Sequence, residues 1–165
     1  MTDMGWVGLV ARLLVGGVWI VAGALKLPDP ASSVRAVRAY QLLPETIVPA
    51  VGYALPVLEV VVGVMLVIGL LVRANAVISA LLFVAFVIGI SAAWARGLQI
   101  DCGCFGGGGY DPDATDKYPW DIARDLGLLF ASLWLVWRPR SPWALDNRLL
   151  YDGSTDRTTT GELTR

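Results

Sequence analysis

Long apolar runs separated by short polar segments dominate the chain up to position 137. A membrane-crossing helix needs about 20 mostly apolar residues, and four runs reach or approach that length. They lie at residues 5–27, 47–72, 74–95 and 119–137. Because each run is continuously apolar and does not alternate with polar residues, it predicts a helix. We therefore expect an all-α fold, an integral membrane four-helix bundle that forms one domain over residues 1–137.

The ends of two runs need separate interpretation. The fourth run is short unless Pro119 and Trp120 supply its first turn, a place that proline tolerates. The first run contains a small-residue stretch, Ala22 to Ala24, that resembles a signal-peptide cleavage site. It lacks the basic leader that a signal peptide carries, so we expect it to remain as a span. Glycines within the runs would let the helices approach closely.

The polar connections differ in character. In the first, Ser32 or Ser33 is a candidate cap for a short amphipathic helix. Its apolar side would carry Val34, Val37 and Tyr40, and its polar side Arg35 and Arg38. Such a helix suits the bilayer interface, and an ordinary solvated loop helix is the other interpretation. The second connection is a tight turn around Arg73. Residues 138–165 form a polar C-terminal tail that we expect to be largely disordered.

Composition supports a membrane protein and excludes several functions. The chain is 56% hydrophobic and 16% charged, whereas about a quarter of the residues of a soluble domain are charged. The absence of histidine excludes Ser-His-Asp and Cys-His catalysis. A net charge of −1 provides no basic surface for nucleic acid. Two cysteines cannot form the framework of a disulfide-stapled secreted domain.

Cys102 and Cys104 are the candidate reactive groups, in a glycine-rich loop at residues 96–118. A disulfide requires Cα atoms roughly 4.4–6.8 Å apart, and a bend at Gly103 would bring the pair near that range. A small, strained, exposed disulfide is of the labile, exchanging kind, and it closes too short a loop to stabilise the fold. The pair therefore favours redox chemistry. Two inert reduced thiols, or a metal site completed by another chain, are the alternatives.

Charged residues inside the spans form a second candidate site, because ionisable groups are expensive in a bilayer. Counted along their helices, Arg12 and Glu59 lie at similar depths, which permits an Arg12–Glu59 ion pair. The pair would either fix the helix arrangement or form part of a proton or quinone site. Pro56 should kink or locally unwind the second span and open space beside Glu59.

Three further charged residues, Lys26, Arg124 and Asp125, should lie at the same membrane face as the cysteine loop. A nearby cation would favour the thiolate, which is the attacking species in disulfide exchange. The alternative role for these side chains is simple snorkelling to the interface.

Several short segments of the chain together resemble the MauE branch of the DoxX-like membrane proteins. The resemblance covers roughly residues 8–137, and its most specific part is the Cys-Gly-Cys-Phe-Gly loop. The matching segments are Gly23–Pro30, Tyr40–Pro44, Leu55–Glu59, Arg96–Gly97, Asp101–Gly106 and Arg124–Asp125.

The resemblance implies a four-helix membrane protein that takes part in thiol–disulfide exchange with a thioredoxin-like partner. Carried over by position, Cys102 and Cys104 would be the redox pair, and Glu59, Lys26 and Arg124 supporting charged residues. A membrane quinone is the candidate cofactor that this likeness suggests. The competing interpretation is a non-catalytic membrane scaffold for a redox or disulfide-maturation partner, and metal delivery is a third.

Location follows from the same interpretation. The protein is expected in the cell membrane, with both termini in the cytoplasm and the Cys102/Cys104 loop outside, because Arg138 and Arg140 directly after the last span form a local cytoplasmic anchor. Outside the cell a disulfide would persist, whereas the cytosol would keep the pair reduced. The partner would then be an extracytoplasmic protein. Either cysteine could be the nucleophile, and electrons could flow in either direction.

Overall fold

The computed structural model describes residues 3–138, and side chains from Gly5 onward. All regular structure in this part of the chain is helical, as expected. The five helices are α1 (Asp3–Lys26), α2 (Pro30–Ala39), α3 (Val48–Ile68), α4 (Val72–Ala95) and α5 (Ala114–Trp137). The predicted C-terminal tail lies outside the described residues, apart from Arg138.

Three of the helices are long and apolar enough to cross a membrane. They correspond to the first three predicted spans and comprise Gly5–Lys26, Val48–Ile68 and Val72–Ala95. The chain is therefore an integral membrane protein. Helix α5 is as long as α1 and α4, but its N-terminal half is polar and charged, so a fourth span stays a prediction.

Two predicted boundaries are wrong for reasons of backbone geometry. Helix α3 ends at Ile68 because Gly69 adopts a left-handed conformation, with φ of 76°, and its N–H contacts the carbonyls of Met65 and Leu66. This is a glycine C-cap. It ends the helix although the apolar residues continue into α4, so the apolar run is longer than the helix. Arg73 consequently lies in the first turn of α4, and the tight turn precedes it.

Helix α5 also begins earlier than predicted, at Ala114, and Pro119 lies inside it. The helix starts in polar sequence, where hydropathy gives no signal. A proline within the first two turns removes one backbone hydrogen bond but leaves the helix continuous.

Helix α2 is capped by Asp29 and not by Ser32 or Ser33. The Asp29 carboxylate accepts a hydrogen bond from the Ser32 backbone N–H at 3.3 Å, and Pro30 occupies the first turn. Aspartate before proline is a strong start signal, since proline has no N–H that needs a partner. The predicted amphipathic pattern is confirmed: Val34 is buried, while Arg35 is exposed.

The apolar side of α2 packs on protein. A β-carbon at Gly52 of α3 would lie 2.6 Å from Val34 Cα, so the two backbones are nearly in contact. Ala36 of α2 is buried against the loop that carries the cysteines. Helix α2 therefore covers the start of α3 and one side of the cysteine loop.

Glycines also set the packing of α1 against α3. A β-carbon at Gly63 would lie 2.7 Å from the Gly16 carbonyl oxygen, and one at Gly23 would lie 2.7 Å from the Pro56 carbonyl oxygen. Helix α3 continues through Pro56 as one helix, so the predicted local unwinding is wrong. Small residues allow this approach in a bilayer, where helix association depends on close packing.

The bundle interior is centred on Trp19 of α1. Its indole ring stacks on Phe83 of α4 with centroids 4.5 Å apart, and its Nε1 donates to the buried Ser79 Oγ at 2.9 Å. The hydrogen bond satisfies two polar groups that would otherwise be stranded in apolar surroundings. Residues of α3 and α5, including Leu66 and Leu135, complete this core.

The α1–α3 contact gives the first testable prediction. Gly63→Ala should lower the free energy of unfolding by about 1–3 kcal/mol, because the new methyl group meets backbone that must move. The measurement is thermal unfolding of the detergent-solubilised chain, followed by circular dichroism.

The matched control is Gly17→Ala, since a β-carbon at Gly17 meets no atom of another element within 4 Å. This variant should unfold at the wild-type temperature or above it. Equal destabilisation by both substitutions would contradict the close contact between α1 and α3.

Candidate functional site

Two tyrosines hold the loop between α4 and α5. The Tyr40 hydroxyl, at the end of α2, donates to the Cys102 carbonyl at 2.8 Å. The Tyr118 hydroxyl, on α5, lies 2.7 Å from the Leu98 carbonyl oxygen and accepts a hydrogen bond from the Ile100 N–H at 3.2 Å. Burial raises the pKa of Tyr40 far above its usual range, so its hydroxyl remains a donor. The loop is thus fixed from both sides.

The expected bend between the cysteines is confirmed. Gly103 has φ of 64°, in the left-handed region that glycine enters without steric cost. A β-carbon there would lie 2.8 Å from the Ala36 side chain. Position 103 therefore requires glycine for two reasons, the backbone conformation and the contact with α2.

Both cysteines are thiols, and both are buried. Their exposed fractions are 9% for Cys102 and 6% for Cys104, so the expectation of an exposed pair is wrong. The thiols are covered by residues that the sequence pattern did not place near them. Ile90 of α4 and Tyr118 of α5 pack around the pair on the inner side, and α2 covers the loop on a second side.

Hydrogen bonding makes the two thiols different. The Cys104 backbone N–H donates to Cys102 Sγ at 3.4 Å. The Cys104 thiol is the main cause that lowers the pKa of Cys102, against the opposing effect of burial. The interaction between the two thiol groups, then burial and the charges of Cys102 and Asp125, raise the pKa of Cys104 well above its usual range. Cys102 is therefore the thiol that ionises first.

Arg124 is the cation near the thiols, as predicted. Its guanidinium contacts Asp121 Oδ1 at 2.9 Å and Asp125 Oδ1 at 3.0 Å, and it lies over the Phe105 ring, 4.8 Å from the centroid. Its positive charge acts on both thiols in the direction that lowers their pKa. Phe105 follows Cys104 directly, so this contact fixes the loop to α5.

A cleft of about 460 Å³ opens beside Cys102. The loop forms one wall and the first turns of α5 form the other. Lining residues are Asp101, Cys102, Phe105, Gly106, Asp116, Lys117, Trp120, Asp121 and Arg124. Trp120 is highly exposed at its rim. The cleft gives Cys102 a route to an aromatic or polar reactant.

Lys26 lies at the end of α1 beside the cysteine loop, and its partner is one that the sequence did not indicate. Its Nζ donates to Glu59 Oε1 at 2.6 Å, with both side chains almost fully buried, and it lies 5.8 Å from the centroid of the Phe86 ring. Lys26 therefore pairs with a carboxylate inside the bundle and does not snorkel to the interface. The second oxygen, Glu59 Oε2, accepts no hydrogen bond from the residues that the structure describes.

The predicted Arg12–Glu59 pair is wrong, although both side chains are buried. The reason is the register between α1 and α3. Gly23 packs beside Pro56 and Val60, so the level of Glu59 on α1 is that of Lys26. Arg12 lies 14 residues earlier in α1, roughly 21 Å along the axis at 1.5 Å per residue. The prediction counted the depth of each residue from the start of its own span, and such a count does not detect this offset between the helices.

The pattern of apolar residues does not indicate the roles of Tyr40, Tyr118 and Phe105. It places Tyr40 only on the apolar side of α2, and Tyr118 precedes the predicted fourth span. One signal for the tyrosines was available in the sequence. A buried tyrosine hydroxyl needs a hydrogen-bond partner, and a glycine-rich loop offers many free carbonyls. Over residues 3–138, no three His, Cys, Asp or Glu side chains are grouped as a metal site would require.

These features define a class: an integral membrane protein, all-helical where described, with a buried dithiol at one end of the bundle. The model of the family "Methylamine utilisation protein MauE" matches residues 4–138. The chain belongs to the MauE family.

One curated relative is similar over a shorter stretch. The methylamine utilization protein MauE of Paracoccus denitrificans is 34% identical over 98 residues, which cover 59% of this chain and 53% of that protein. The chain thus matches about half the length of this relative. No solved structure matches the chain.

The buried ion pair gives the second testable prediction. Lys26→Met should lower the free energy of unfolding by about 3–5 kcal/mol, because it leaves the Glu59 carboxylate buried without its cation. Adding Glu59→Leu should restore much of the loss, since no unpaired charge remains. Unfolding in mixed detergent micelles measures both.

Arg35→Met is the control, because it breaks the exposed ion pair with Asp29. It should change stability little. If Lys26→Met behaved like this control, or if the second substitution deepened the loss, the Lys26–Glu59 pair would not be the buried interaction described.

The third prediction concerns pH. In the reduced protein, alkylation of Cys102 should rise with pH through a midpoint below that of an ordinary thiol, about 8.5, because the reactive thiolate forms at lower pH. Cys104→Ala should move the midpoint upward, since the interaction with the Cys104 thiol is lost and only the backbone N–H remains as a donor. Iodoacetamide labelling with mass spectrometry measures the profile.

Cys104→Ser keeps a donor at the same position and should shift the midpoint less than Cys104→Ala. A wild-type profile that coincides with free cysteine would contradict the assignment of Cys102 as the more acidic thiol.

Proposed function

We propose that the protein is a membrane thiol–disulfide oxidoreductase whose Cys102 and Cys104 exchange electrons with a thioredoxin-like partner. The observation that carries the proposal is the asymmetry of the pair: one thiol of lowered pKa borders an open cleft. Disulfide exchange needs an accessible thiolate and a second thiol within reach, and a Cys-Gly-Cys turn supplies both.

The surroundings of the pair support a reactive role over a structural one. A disulfide between residues two apart would add little stability, because it closes almost no chain entropy. Yet two tyrosines, α2 and Arg124 hold this loop in place. The chain has only these two cysteines, so electrons pass from the pair directly to another molecule and not to a second internal pair.

We further propose a four-span topology with the cysteine loop outside the cell. Helix α5 is 24 residues long, enough to cross a core roughly 30 Å thick. Its exposed face is apolar beyond Gly127, where Phe130, Leu133 and Trp137 point away from the bundle. Residues 114–118 would lie at the outer interface beside the loop, where a disulfide persists, and residues 119–137 would cross the core. A membrane quinone as electron acceptor stays a prediction.

The family name assigns this class of proteins to methylamine utilisation. We propose that any part of this chain in that process runs through disulfide chemistry in a partner, because the dithiol is the reactive feature of the described site. The partner would be an extracytoplasmic protein of the thioredoxin class.

A non-catalytic scaffold is the second candidate, and the burial of both thiols favours it. In that case α2 would carry the partner contacts through its exposed Arg35 and Arg38, each held by a carboxylate, Asp29 and Glu45. The cysteines would then be dispensable.

The fourth prediction separates these functions. In cells, at least one of the variants Cys102→Ser and Cys104→Ser should accumulate a mixed disulfide with a partner that contains a Cys-x-x-Cys pair, while the double variant should form none. The double variant should also change the ratio of oxidised to reduced partner. Non-reducing gels and thiol trapping measure both.

Arg35→Gln with Arg38→Gln is the comparison variant, because it alters the α2 surface and leaves the thiols intact. The oxidoreductase function predicts a normal partner redox state in this variant. If it disturbed the partner while the double cysteine variant did not, the protein would be a scaffold.

A further inference from the structure

We propose that Cys102 attacks the partner disulfide, that Cys104 then displaces the partner from Cys102, and that Asp125 accepts the Cys104 proton. This assignment rests on the proposed function and adds an order of events and a proton acceptor. Neither follows from the Cys-Gly-Cys sequence, because the sequence does not distinguish one cysteine from the other as the attacking group.

The cleft distinguishes the two thiols by position. Cys102 and Phe105 line it, while Cys104, which lies between them in sequence, does not. Both thiols pack in the cluster that includes Ile90 and Tyr118, so the cleft is what distinguishes them. A bulky disulfide in the cleft can therefore reach Cys102, whereas Cys104 forms no part of the lining.

The loop also prepares Cys102 as the nucleophile. The Cys104 N–H points at Cys102 Sγ, and the Tyr40 hydroxyl holds the Cys102 carbonyl. The lowered pKa of Cys102 agrees with this geometry. Cys104 has the opposite surroundings: its raised pKa means that it needs a base before it can attack.

Asp125 is placed to be that base. Ala114, Tyr118 and Ile122 mark the face of α5 that packs around the cysteines, and Asp125 continues this face one turn later. Its side chain is 2% exposed, and its charge acts on Cys104.

One oxygen of Asp125 is available for a proton. Oδ1 accepts hydrogen bonds from Arg124, whereas Oδ2 is buried and accepts none from the residues that the structure describes. A buried acceptor without a donor is costly, so taking up a proton there is favourable. Among the other charged groups nearby, Asp121 binds Arg124 and Lys26 binds Glu59. Asp101, Asp116 and Lys117 line the cleft beside Cys102, and Cys104 is not part of that lining.

The reaction balances as two exchanges. The Cys102 thiolate attacks one sulfur of the partner disulfide, a bond forms between the two sulfurs, and the other partner sulfur leaves as a thiolate. The Cys104 thiol, which donates to the Cys102 carbonyl at 3.8 Å in the structure, turns to Asp125 and gives its proton to Oδ2. Cys104 then attacks Cys102 Sγ, which releases the second partner thiolate. The protein dithiol is oxidised to a Cys102–Cys104 disulfide, and the partner disulfide is reduced to a dithiol. In the reverse direction the same bonds break and form in the opposite order, so that a Cys102–Cys104 disulfide oxidises a partner dithiol.

The test uses the reduced, detergent-solubilised full chain and the aromatic disulfide dithiobis-nitrobenzoate, which releases a coloured thiolate at each step. The wild type should release two thiolates in two phases. Cys104→Ser should release one and keep the aromatic group on Cys102, as mass spectrometry would show. Cys102→Ser should show no fast release.

Asp125→Asn should leave the first phase unchanged and slow the second about a hundredfold, the size of a general-base contribution. Asp121→Asn is the matched control, because it removes the other carboxylate bound to Arg124, and its second phase should stay near wild type. In the wild type, deuterium oxide should slow the second phase and not the first, which tests the proton transfer without any variant.

Fast labelling of Cys104 in Cys102→Ser would overturn the order of attack. Equal second phases in Asp125→Asn and Asp121→Asn, or no isotope effect in the wild type, would overturn the role of Asp125. A wild type that retained two aromatic groups and formed no internal disulfide would instead contradict the proposed function itself.

Discussion

The ion pair between Lys26 and Glu59 depends on how closely α1 and α3 approach. Two charges can be buried in an apolar bundle only if they meet, and here the amine and carboxylate are 2.6 Å apart. Glycines at the α1–α3 contact bring the backbones together and set the register that places the two side chains at one level. The end of α1 is thereby fixed beneath the cysteine loop, whose Gly106 backbone runs beside Leu25.

The loop is built on that fixed end and on α2. Its glycines let the chain bend sharply, and the hydroxyls of Tyr40 and Tyr118 bind its carbonyls, so the backbone polar groups of an irregular segment are satisfied at the edge of the bundle. The result is an ordered site in which two chemically identical residues acquire different surroundings. Both cysteines pack against the helices, but Cys102 also lines the cleft and Cys104 does not.

The sequence predicted the helices well, because long apolar runs carry a strong signal, and it predicted the bend at Gly103 from glycine alone. The prediction failed where the register between packed helices determines which residues meet. Glu59 pairs with Lys26 and not with Arg12, because depth counted from helix ends ignores the offset that glycine packing imposes. The burial of the cysteines was missed for a similar reason, since Ala36 and Tyr118, which cover them, are distant in sequence. The Asp29-Pro30 pair alone would have predicted Asp29 as the cap of α2.

The central claim is that Cys102 and Cys104 form a redox-active pair on the outer side of the membrane. The most direct measurement is labelling of intact cells with a small membrane-impermeant thiol reagent, before and after mild reductant. If the pair is a disulfide outside the cell, the reagent should label Cys102 only after reduction, because Cys102 lines the open cleft and Cys104 does not. Labelling that appeared only after the membrane was permeabilised, and without reductant, would place reduced thiols in the cytoplasm and contradict the account.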